Sequence, residues 1–376
     1  MSSLAKTETA RSRWGQPPWQ IDFRPAPHAI PKQVDVAVVG AGFTGLAAAA
    51  WLRRLDPTKT VAVFEAQSIG SGASGRTGGL VLAETAGGDL PGLGDVLAGF
   101  SSALRDLAID CDLTLPGAWE IGRSKPLPNS PIDWQDSGNL RATNQLPGGT
   151  ADPGKLVSGL ACAAERSGAL IIENAPVQEF CFTDSLRLRI RGVEVRASRS
   201  IFATNAFSLE MTGLAARTEP KLTLVVATTP LKPADLHILG LASCPAFYTI
   251  DLPYLWGRVF HTNRVIFGGG IIEVSNWSEL ETLDISTGKA AELIAKIERR
   301  VRGLHPALRS VGFSHWWGGP VLFGHNWQGK PVFEAHPSLP NTIVLGAYSG
   351  HGVALSVYLG CWAAETTLGR RKLPSW

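Results

Sequence analysis

A glycine-rich turn between two apolar segments is the feature of this chain whose residue types point most directly to chemistry. It follows the apolar run Val36–Val39 and has the order Gly-x-Gly-x-x-Gly, with glycines at Gly40, Gly42 and Gly45. Gly40 permits a tight turn, Gly42 lets the backbone approach a pyrophosphate, and Gly45 lets the next helix pack closely on the strand. The N-terminus of that helix would offer free N–H groups and a positive dipole end to phosphates. The pattern predicts a dinucleotide site.

An acidic residue stands where the second predicted strand ends. The strand is Val61–Phe64, and Glu65 follows it, twenty residues past Gly45. A carboxylate at this spacing accepts hydrogen bonds from ribose hydroxyls and repels a 2′-phosphate. The alternative is an ordinary glycine-rich turn with a solvated Glu65. The combination of two strands, turn, helix and acid favours the dinucleotide site.

A second glycine-rich run, Gly70–Gly79, comes soon after the acid-ended strand. A segment this rich in glycine leaves many backbone N–H groups accessible, which suits contact with a phosphate or an isoalloxazine ring. Arg76 would add positive charge near a pyrophosphate. The alternative is a flexible surface loop, but the neighbouring turn favours contact with a cofactor.

A third glycine-rich turn, Gly346–Gly352, lies near the C-terminus. It follows the apolar strand Thr342–Leu345 and precedes a helix predicted from about Val353 to Leu368. This arrangement again directs a helix N-terminus at an electron-rich group. On a flavin, it would stabilise negative charge at the N1–C2=O edge of the reduced ring. The alternative for His351 is a histidine packed within the turn.

Composition is that of an ordinary globular chain of 376 residues, with 44% apolar and 18% charged residues. The net charge is +3 without a dense Lys/Arg block, so nothing indicates nucleic-acid binding. The five cysteines are scattered and never spaced as CxxC, which favours free thiols in a reducing compartment and disfavours a metal site. Residues 1–33 lack the apolar core of a secretory signal, and Leu46–Leu52 is far shorter than the roughly 20 residues of a membrane span. We expect a cytoplasmic protein with no membrane span.

The elements that position these turns imply two domains, which the chain length also favours. A helix is predicted by Asp152 as N-cap, Pro153 in its first turn and Gly168 as its stop. Further predicted elements are strands at 170–173, 186–190 and 200–203, a strand-rich region at 222–274 and a helix at 289–302.

Their order along the chain predicts the domain boundaries. After an N-terminal arm of residues 1–33, a nucleotide-binding domain would comprise residues 34–89, 149–219 and 330–376. A β-rich second domain would comprise residues 90–148 and 220–329. In the arm, repeated prolines block regular structure, and Trp14, Trp19 and Phe23 indicate that it is pinned to the surface.

Together, the sequences GAGFTGL, GSGASGRTGG and YSGHGVAL resemble the motifs of the FAD-dependent D-amino-acid-oxidase-like superfamily. Within it, the chain resembles the branch of glycine, sarcosine and γ-glutamylputrescine oxidases, over residues 33–368. The resemblance implies an α/β fold in which a discontinuous Rossmann-type FAD-binding domain is joined to a β-rich α+β substrate domain. This is a fold of the glutathione-reductase-2 type.

The resemblance also implies which residues contact FAD. Ser200–Ala206 resembles the family strand that ends in an Ala-Thr-Asn/Gly-Ala turn beside the flavin, and Val177 stands where a valine backbone meets the adenine. Glu65 becomes the acid for the ribose of the adenosine half. The implied FAD contacts are Gly40, Ala41, Gly42, Phe43, Thr44, Gly45, Glu65, Ala66, Ala73, Ser74, Gly75, Arg76, Thr77, Gly78, Gly79, Val177, Ala203, Thr204, Asn205, Gly318, Gly346, Tyr348, Ser349, Gly350, His351, Gly352 and Val353.

For activity, the resemblance implies oxidation of an amine or amino acid. Hydride passes from the α-carbon to flavin N5, the imine hydrolyses, and oxygen or another electron acceptor reoxidises the flavin. Two alternatives stay open. One is oxidation of a 2-hydroxy acid on the same fold, and the other is a flavin-binding subunit without catalysis.

Departures from the family bear on the substrate. Sarcosine oxidases hold the substrate carboxylate with an arginine near the position of Gly78 and a lysine at that of Ala354, and neither is present here. An amino acid held in that manner is therefore disfavoured. Arg258 and Lys221 are the candidate replacements.

The expected attachment of the flavin also differs from that in sarcosine oxidases. Sarcosine oxidases attach the flavin through a cysteine in the region of His315–Gly318, whereas this chain has no cysteine between Cys244 and Cys361. We therefore expect FAD to be held non-covalently.

Few acid–base residues are expected, because the flavin carries the chemistry. Candidate catalytic residues are His351, Lys330, His261 and Tyr254, with His315 and His325 as further polar candidates. The aromatic side chains of the second domain favour apolar or cationic amines through their ring faces, and packing is the alternative for each. They are Trp256, Trp277, Trp316, Trp317, Trp327, Tyr248 and Tyr254.

Overall fold

The computed structural model describes residues 13–182, 185–243, 246–325 and 329–376. They form two compact units. The antiparallel-sheet unit contains the described residues up to Pro18, with Leu115–Thr150 and Pro220–Pro320. The parallel-sheet unit contains Trp19–Thr114, Ala151–Glu219 and Val321–Trp376. Residues 90–114 thus group with the first glycine-rich turn, whereas the sequence pattern placed them in the second domain.

The strands in the described residues are β1 Gln33–Val39, β2 Val61–Phe64, β3 Leu80–Leu82, β4 Ala118–Gly122, β5 Trp134–Gln135, β6 Asn139–Leu146, β7 Gly148–Thr150, β8 Leu170–Ile172, β9 Val177–Phe182, β10 Leu186–Ile190, β11 Val193–Phe202, β12 Thr218–Thr228, β13 Ala246–Thr249, β14 Leu255–Phe260, β15 Arg264–Glu273, β16 Phe313–Gly324, β17 Val332–Ala335 and β18 Thr342–Gly346. The α-helices are α1 Phe43–Leu55, α2 Val96–Asp106, α3 Pro153–Arg166, α4 Leu209–Thr212, α5 Pro233–Ile238, α6 Trp277–Thr282, α7 Gly288–Leu304 and α8 Gly352–Thr367.

The parallel-sheet unit is built on the strand order β17-β18-β11-β1-β2-β8, with β9 and β10 continuing from β11. Strands β1, β2, β8, β11 and β18 run parallel, and the valine-rich β1 and β2 are largely buried. Such apolar runs are typical of strands covered on both faces by helices. The predicted Rossmann-type sheet is therefore confirmed.

The helices of this unit follow the local signals in the sequence. The Asp152 carboxylate accepts a hydrogen bond from the Lys155 N–H at 2.9 Å, which confirms the predicted N-cap of α3. Helix α1 packs against both α3 and α8. At the α1–α8 crossing, a Cβ on Gly360 would lie 2.5 Å from the Thr44 carbonyl oxygen, so the two backbones approach as closely as glycine allows. No helix among the described residues is long and apolar enough to cross a membrane.

The antiparallel-sheet unit has the strand order β16-β12-β15-β14-β13-β4-β6-β5. Strand β14 shows how its two faces differ. Leu255 and Val259 belong to an apolar cluster on one face that also contains residues of α7. Trp256, Arg258 and Phe260 alternate with them along the strand and point to the opposite face.

The N-terminal arm is held more firmly than the sequence predicted. Trp14 is fully buried, and its indole N–H donates to the Leu280 carbonyl oxygen at 3.3 Å. Trp19 is also buried and donates to the Gly75 carbonyl oxygen at 2.7 Å. Residues 1–12 lie outside the described residues. Both tryptophans are thus part of the packed structure rather than surface contacts.

Candidate functional site

Four turns meet at one edge of the parallel sheet. The register pairs Val39 with Phe64 and with Phe202, and Phe202 with Val344, so β1, β2, β11 and β18 end at neighbouring positions. The segments that follow these strands begin at Gly40, Glu65, Ala203 and Ala347. Open α/β sheets bind ligands at the carboxyl ends of their strands. This edge is therefore the candidate site.

The turn after β1 depends on its glycines. Gly40 has a φ of +100°, and a Cβ there would lie 2.7 Å from the Ala203 carbonyl oxygen. A Cβ on Gly45 would lie 1.9 Å from the Gly40 carbonyl oxygen. Glycine is therefore required at both positions, for the turn and for the close helix–strand packing that the motif predicts.

The second glycine-rich run lies against the N-terminus of α1. The Phe43 N–H donates to the Ser74 hydroxyl oxygen at 2.9 Å, and the Gly70 N–H donates to the Ala41 carbonyl oxygen at 2.9 Å. A Cβ on Gly42 would lie 2.8 Å from the Ser74 oxygen. The two glycine-rich segments therefore form one structure.

Within this run, Arg76 is buried, as are Gly75, Gly78 and Gly79. Ala73 and Thr77 are half-buried. A buried guanidinium within a glycine-rich segment suits a polyanionic ligand.

Glu65 is fixed at the end of β2. One carboxylate oxygen accepts the Ala41 N–H at 2.9 Å, and the other accepts the Gln67 N–H at 2.9 Å. The Glu65 carbonyl accepts the Ala175 N–H at 2.7 Å, which brings the start of β9 at Val177 near this acid. Two backbone donors thus hold the carboxylate in place at the end of β2, where the motif predicts an acid for a ribose.

The turn after β11 connects to the turn after β18. Asn205 has a φ of +49°, and its side-chain oxygen accepts the Ala347 N–H at 3.0 Å. The Thr204 hydroxyl oxygen is buried and has no hydrogen-bond partner among the described residues. A buried hydroxyl in this state is costly unless a ligand satisfies it.

The third glycine-rich turn has an unusual backbone. Ala347, Ser349 and Gly350 all have positive φ, at 52°, 50° and 89°. The Ser349 N–H donates to the Leu322 carbonyl oxygen, and the His351 N–H donates to the Tyr348 carbonyl oxygen. Helix α8 then begins at Gly352 without a side-chain cap. Its first N–H groups are thus not satisfied by a capping side chain, as an anion-binding helix end requires.

The first and third turns are joined by buried hydroxyl groups. The Tyr348 phenol lies 2.7 Å from the Thr44 hydroxyl, and both side chains are buried. Burial raises the pKa of the Tyr348 phenol above its ordinary value, so it stays protonated and able to donate. Nothing local in the sequence pairs these two residues.

The four candidate catalytic residues lie in both units. In the parallel-sheet unit, His351 is half-buried and Lys330 is exposed. In the antiparallel-sheet unit, Tyr254 and His261 are exposed and lie at opposite ends of β14. The structure therefore does not bring Tyr254 and His261 together. Burial lowers the pKa of the His351 imidazole, so this side chain is neutral at pH 7.

The remaining candidates have varied environments. The Gly318 N–H donates to the Trp14 carbonyl oxygen at 2.7 Å, and Lys221 is buried and paired with Glu273 at 3.2 Å. The Trp316 side chain is exposed, and its indole N–H donates to the Glu298 carboxylate, whereas Trp317 is fully buried.

The two further histidine candidates also differ. Burial lowers the pKa of the His315 imidazole, whereas His325 is exposed. Trp327 and Cys244 lie outside the described residues.

The site fits a dinucleotide such as FAD. Gly40, Gly42 and Gly45 leave no space for a Cβ. The buried Thr204 hydroxyl has no hydrogen-bond partner among the described residues, and α8 begins without a capping side chain. Sequence reasoning missed the bonds from Ser74 to Phe43, from Asn205 to Ala347 and from Tyr348 to Thr44. The glycine motifs were the only local signal, since each bond joins distant segments. The fold and this edge are those of a dinucleotide-binding α/β protein.

Comparison with known proteins agrees with this class. The model of the DAO family, described as FAD dependent oxidoreductase, matches residues 35–366. A γ-glutamylputrescine oxidoreductase from Escherichia coli is 27% identical, over 89% of this chain and 84% of the relative. A probable oxidoreductase, OrdL, from Rhizobium meliloti is 26% identical, over 90% and 84%. The chain belongs to the DAO family of FAD-dependent oxidoreductases.

Solved structures share the fold. Glycine oxidase from Geobacillus kaustophilus has a TM-score of 0.70 at 19% identity, covering 91% of this chain and 96% of the other. An L-amino acid deaminase from Proteus myxofaciens has a TM-score of 0.72 at 13% identity, covering 95% and 94%. The predicted fold and flavoenzyme class are confirmed.

Proposed function

We propose that this oxidoreductase oxidises the C–N bond of an amine or amino acid. The supporting observation is the match, along most of its length, to a relative named γ-glutamylputrescine oxidoreductase. The names of the structural neighbours, glycine oxidase and L-amino acid deaminase, also concern amino compounds. Bound FAD would accept a hydride from the carbon that carries the nitrogen, and the oxidised product would hydrolyse.

The parallel-sheet edge would hold the adenosine and pyrophosphate parts of FAD. Glu65 accepts hydrogen bonds from the ribose hydroxyls. The pyrophosphate lies against the N-terminus of α1 and the run Gly70–Gly79. Arg76 supplies a buried positive charge there. The turn Ala203–Asn205 contributes the Thr204 hydroxyl as a donor. These assignments rest on the hydrogen bonds that already fix each segment.

The turn Gly346–Gly352 would serve the flavin end of the cofactor. The N-terminus of α8 stabilises negative charge, because a helix end presents free N–H groups and a positive dipole. His351 stands at this end as a neutral imidazole that can donate or accept a proton. The other candidate catalytic residues are Lys330, His261 and Tyr254. The parallel-sheet unit would bind FAD, and the antiparallel-sheet unit would bind the substrate.

Two further parts of the proposal come from the cysteines. FAD is held non-covalently, since no cysteine stands between Cys244 and Cys361. Cys111, Cys162, Cys181 and Cys361 are free thiols in the structure. Free thiols favour a reducing, cytoplasmic compartment.

The electron acceptor is oxygen or another oxidant.

The function is tested by mixing the oxidised holoenzyme with panels of amines, amino acids and 2-hydroxy acids without oxygen. Loss of the yellow flavin colour with members of the first two panels supports the proposal. Bleaching by 2-hydroxy acids alone would assign the second chemistry instead. A yellow protein that no donor reduces, alone or with a partner protein, would indicate a non-catalytic flavin-binding subunit.

A further inference from the structure

The N-terminal arm packs against the second glycine-rich run within the parallel-sheet unit. The Trp19 side chain is 7% exposed, and its indole N–H donates to the Gly75 carbonyl oxygen at 2.7 Å. We propose that Trp19 is a positioning residue for the cofactor. Together with Ile21, it holds the run Gly70–Gly79 in its binding shape before FAD binds. This inference rests on the proposed function, in which this run contacts FAD.

The run Gly70–Gly79 has little structure of its own to hold it. It is a series of turns without a strand or a helix. Its internal backbone bonds are short-range: the Gly75 N–H donates to the Gly70 carbonyl oxygen at 2.8 Å, and the Arg76 N–H donates to the Ala73 carbonyl oxygen at 3.1 Å. Glycine loses more conformational freedom than any other residue when its backbone is fixed. Contacts from other segments must therefore keep this run in one shape.

The bond from Trp19 fixes one peptide group of the run. Because the Gly75 carbonyl points to the indole, the peptide group between Gly75 and Arg76 has a single orientation. The residue before it, Ser74, accepts the Phe43 N–H at the N-terminus of α1. The residue after it carries the buried guanidinium. The indole thus holds the peptide group that lies between the two parts of the run proposed to face the pyrophosphate.

The Ile21 side chain supports the same part of the run. A Cβ on Gly70 would lie 2.9 Å from the terminal methyl carbon of Ile21, and a Cβ on Gly75 would lie 3.0 Å from it. The absence of side chains on these two glycines therefore leaves room for Ile21 against the backbone. Ile21 also packs against the apolar cluster that contains α1, α3 and α8. The arm and the run are shaped to fit each other.

Helix α3 in turn holds the arm. The Ser158 hydroxyl oxygen accepts the N–H groups of Asp22 and Phe23 at 3.1 Å and 3.4 Å. A Cβ on Gly154 would lie 2.1 Å from the Gln20 carbonyl oxygen, so the arm backbone runs close against the first turn of the helix. The side chains of the arm thus reach the run from a fixed base. A loop fixed in its bound shape loses less conformational entropy when its ligand binds.

The test compares Trp19→Phe with Trp51→Phe, since each change removes one indole N–H and keeps an aromatic ring. The Trp51 N–H donates to the Glu365 carboxylate at 3.3 Å, outside the run, which makes it the matched control. One measurement is the Kd for FAD from reconstitution of the apoprotein. The other is hydrogen exchange of residues 70–79 in the apoprotein and after addition of FAD, because exchange reports local opening.

Trp19→Phe should raise the Kd for FAD about fivefold, as loss of one buried hydrogen bond predicts. It should also speed exchange of residues 70–79 in the apoprotein, and saturating FAD should restore the protection seen in the wild type. Trp51→Phe should leave both properties within about twofold. Equal Kd values in the two variants, or unchanged exchange of residues 70–79 in Trp19→Phe, would overturn the inference.

A second variant covers the case in which Trp19→Phe does not fold by circular dichroism. Ile21→Ala should then speed exchange of residues 70–79 and raise the Kd, and no change in either overturns the inference. A wild type that binds FAD without protecting residues 70–79 would contradict the proposed cofactor site and this inference together. Because no substrate is present, failure of amine oxidation is measured separately, in the bleaching assay.

Discussion

The phenolic oxygen of Tyr348 lies 2.7 Å from the hydroxyl oxygen of Thr44, although 304 residues separate them in the chain. Thr44 stands in the first turn of α1, and Tyr348 stands in the turn that precedes α8. The bond joins the helix end proposed for the pyrophosphate to the turn proposed for the flavin. This buried contact adds to the packing of α1 against α8 in holding the two turns together.

Replacement of Tyr348 by Phe should weaken FAD binding. The variant keeps the ring but loses a buried hydrogen bond worth about 1 kcal/mol, which corresponds to roughly a fivefold higher Kd. The measurement is the Kd for FAD from reconstitution of the apoprotein. Tyr358→Phe is the control, since that hydroxyl donates to the Leu93 carbonyl oxygen at 2.6 Å and contacts neither turn. An equal loss of FAD affinity in both variants would contradict a specific role for Tyr348.

Replacement of Gly42 by Val should give a colourless protein. Even a Cβ at this position would lie 2.8 Å from the Ser74 oxygen, and the larger side chain would fill the place proposed for the pyrophosphate. Gly324→Val is the control, because no atom of the described residues other than its chain neighbours lies within 4 Å of its added Cβ. The measurement is the flavin content of each purified variant. Full flavin content in Gly42→Val would show that the pyrophosphate lies elsewhere.

His351 should make the protein less stable in acid. Burial lowers the pKa of its imidazole in the folded state, so below the ordinary histidine pKa of about 6.5 the unfolded chain binds the proton more readily. The contribution is absent above that pH and grows as the pH falls toward the folded-state pKa. Urea unfolding at pH 8 and pH 5 should therefore show a smaller acid-induced loss for His351→Gln than for the wild type. Equal losses would contradict the direction of the shift.

Acid precipitation should release the flavin. No cysteine is available near Gly318 to form the link found in sarcosine oxidases, so the yellow colour should appear in the supernatant. Absorbance of the pellet and of the supernatant gives the result directly. Flavin that remains with the washed pellet would show a covalent bond through another residue.

Local sequence signals predicted much of the fold. The turn at Gly40, the N-cap at Asp152 and the strand Thr342–Leu345 each depend on neighbouring residues, and the structure contains all three. The bond from Asn205 to Ala347 could not be predicted, because it depends on β11 and β18 becoming neighbours. Burial of Trp14 beside Leu280 is equally non-local.

The residues of the antiparallel-sheet unit were harder to predict, because their contacts also join segments that are distant in the sequence. The positions of Arg258 and Trp256 on one face follow from strand alternation, but the burial of Arg258 depends on β13, β14 and β15 lying side by side. Which strands pair with each other cannot be read directly from one sequence. The cofactor site, in contrast, is encoded by glycines whose backbone needs are local.

The central claim, oxidation of a C–N bond, is tested most directly by a single-turnover experiment without oxygen. The oxidised holoenzyme is mixed with an amino donor that bleaches the flavin, and the products are quantified. We predict one carbonyl product and one released amine or ammonia for each flavin reduced. Flavin reduction without release of nitrogen, or reduction by 2-hydroxy acids only, would contradict the claim.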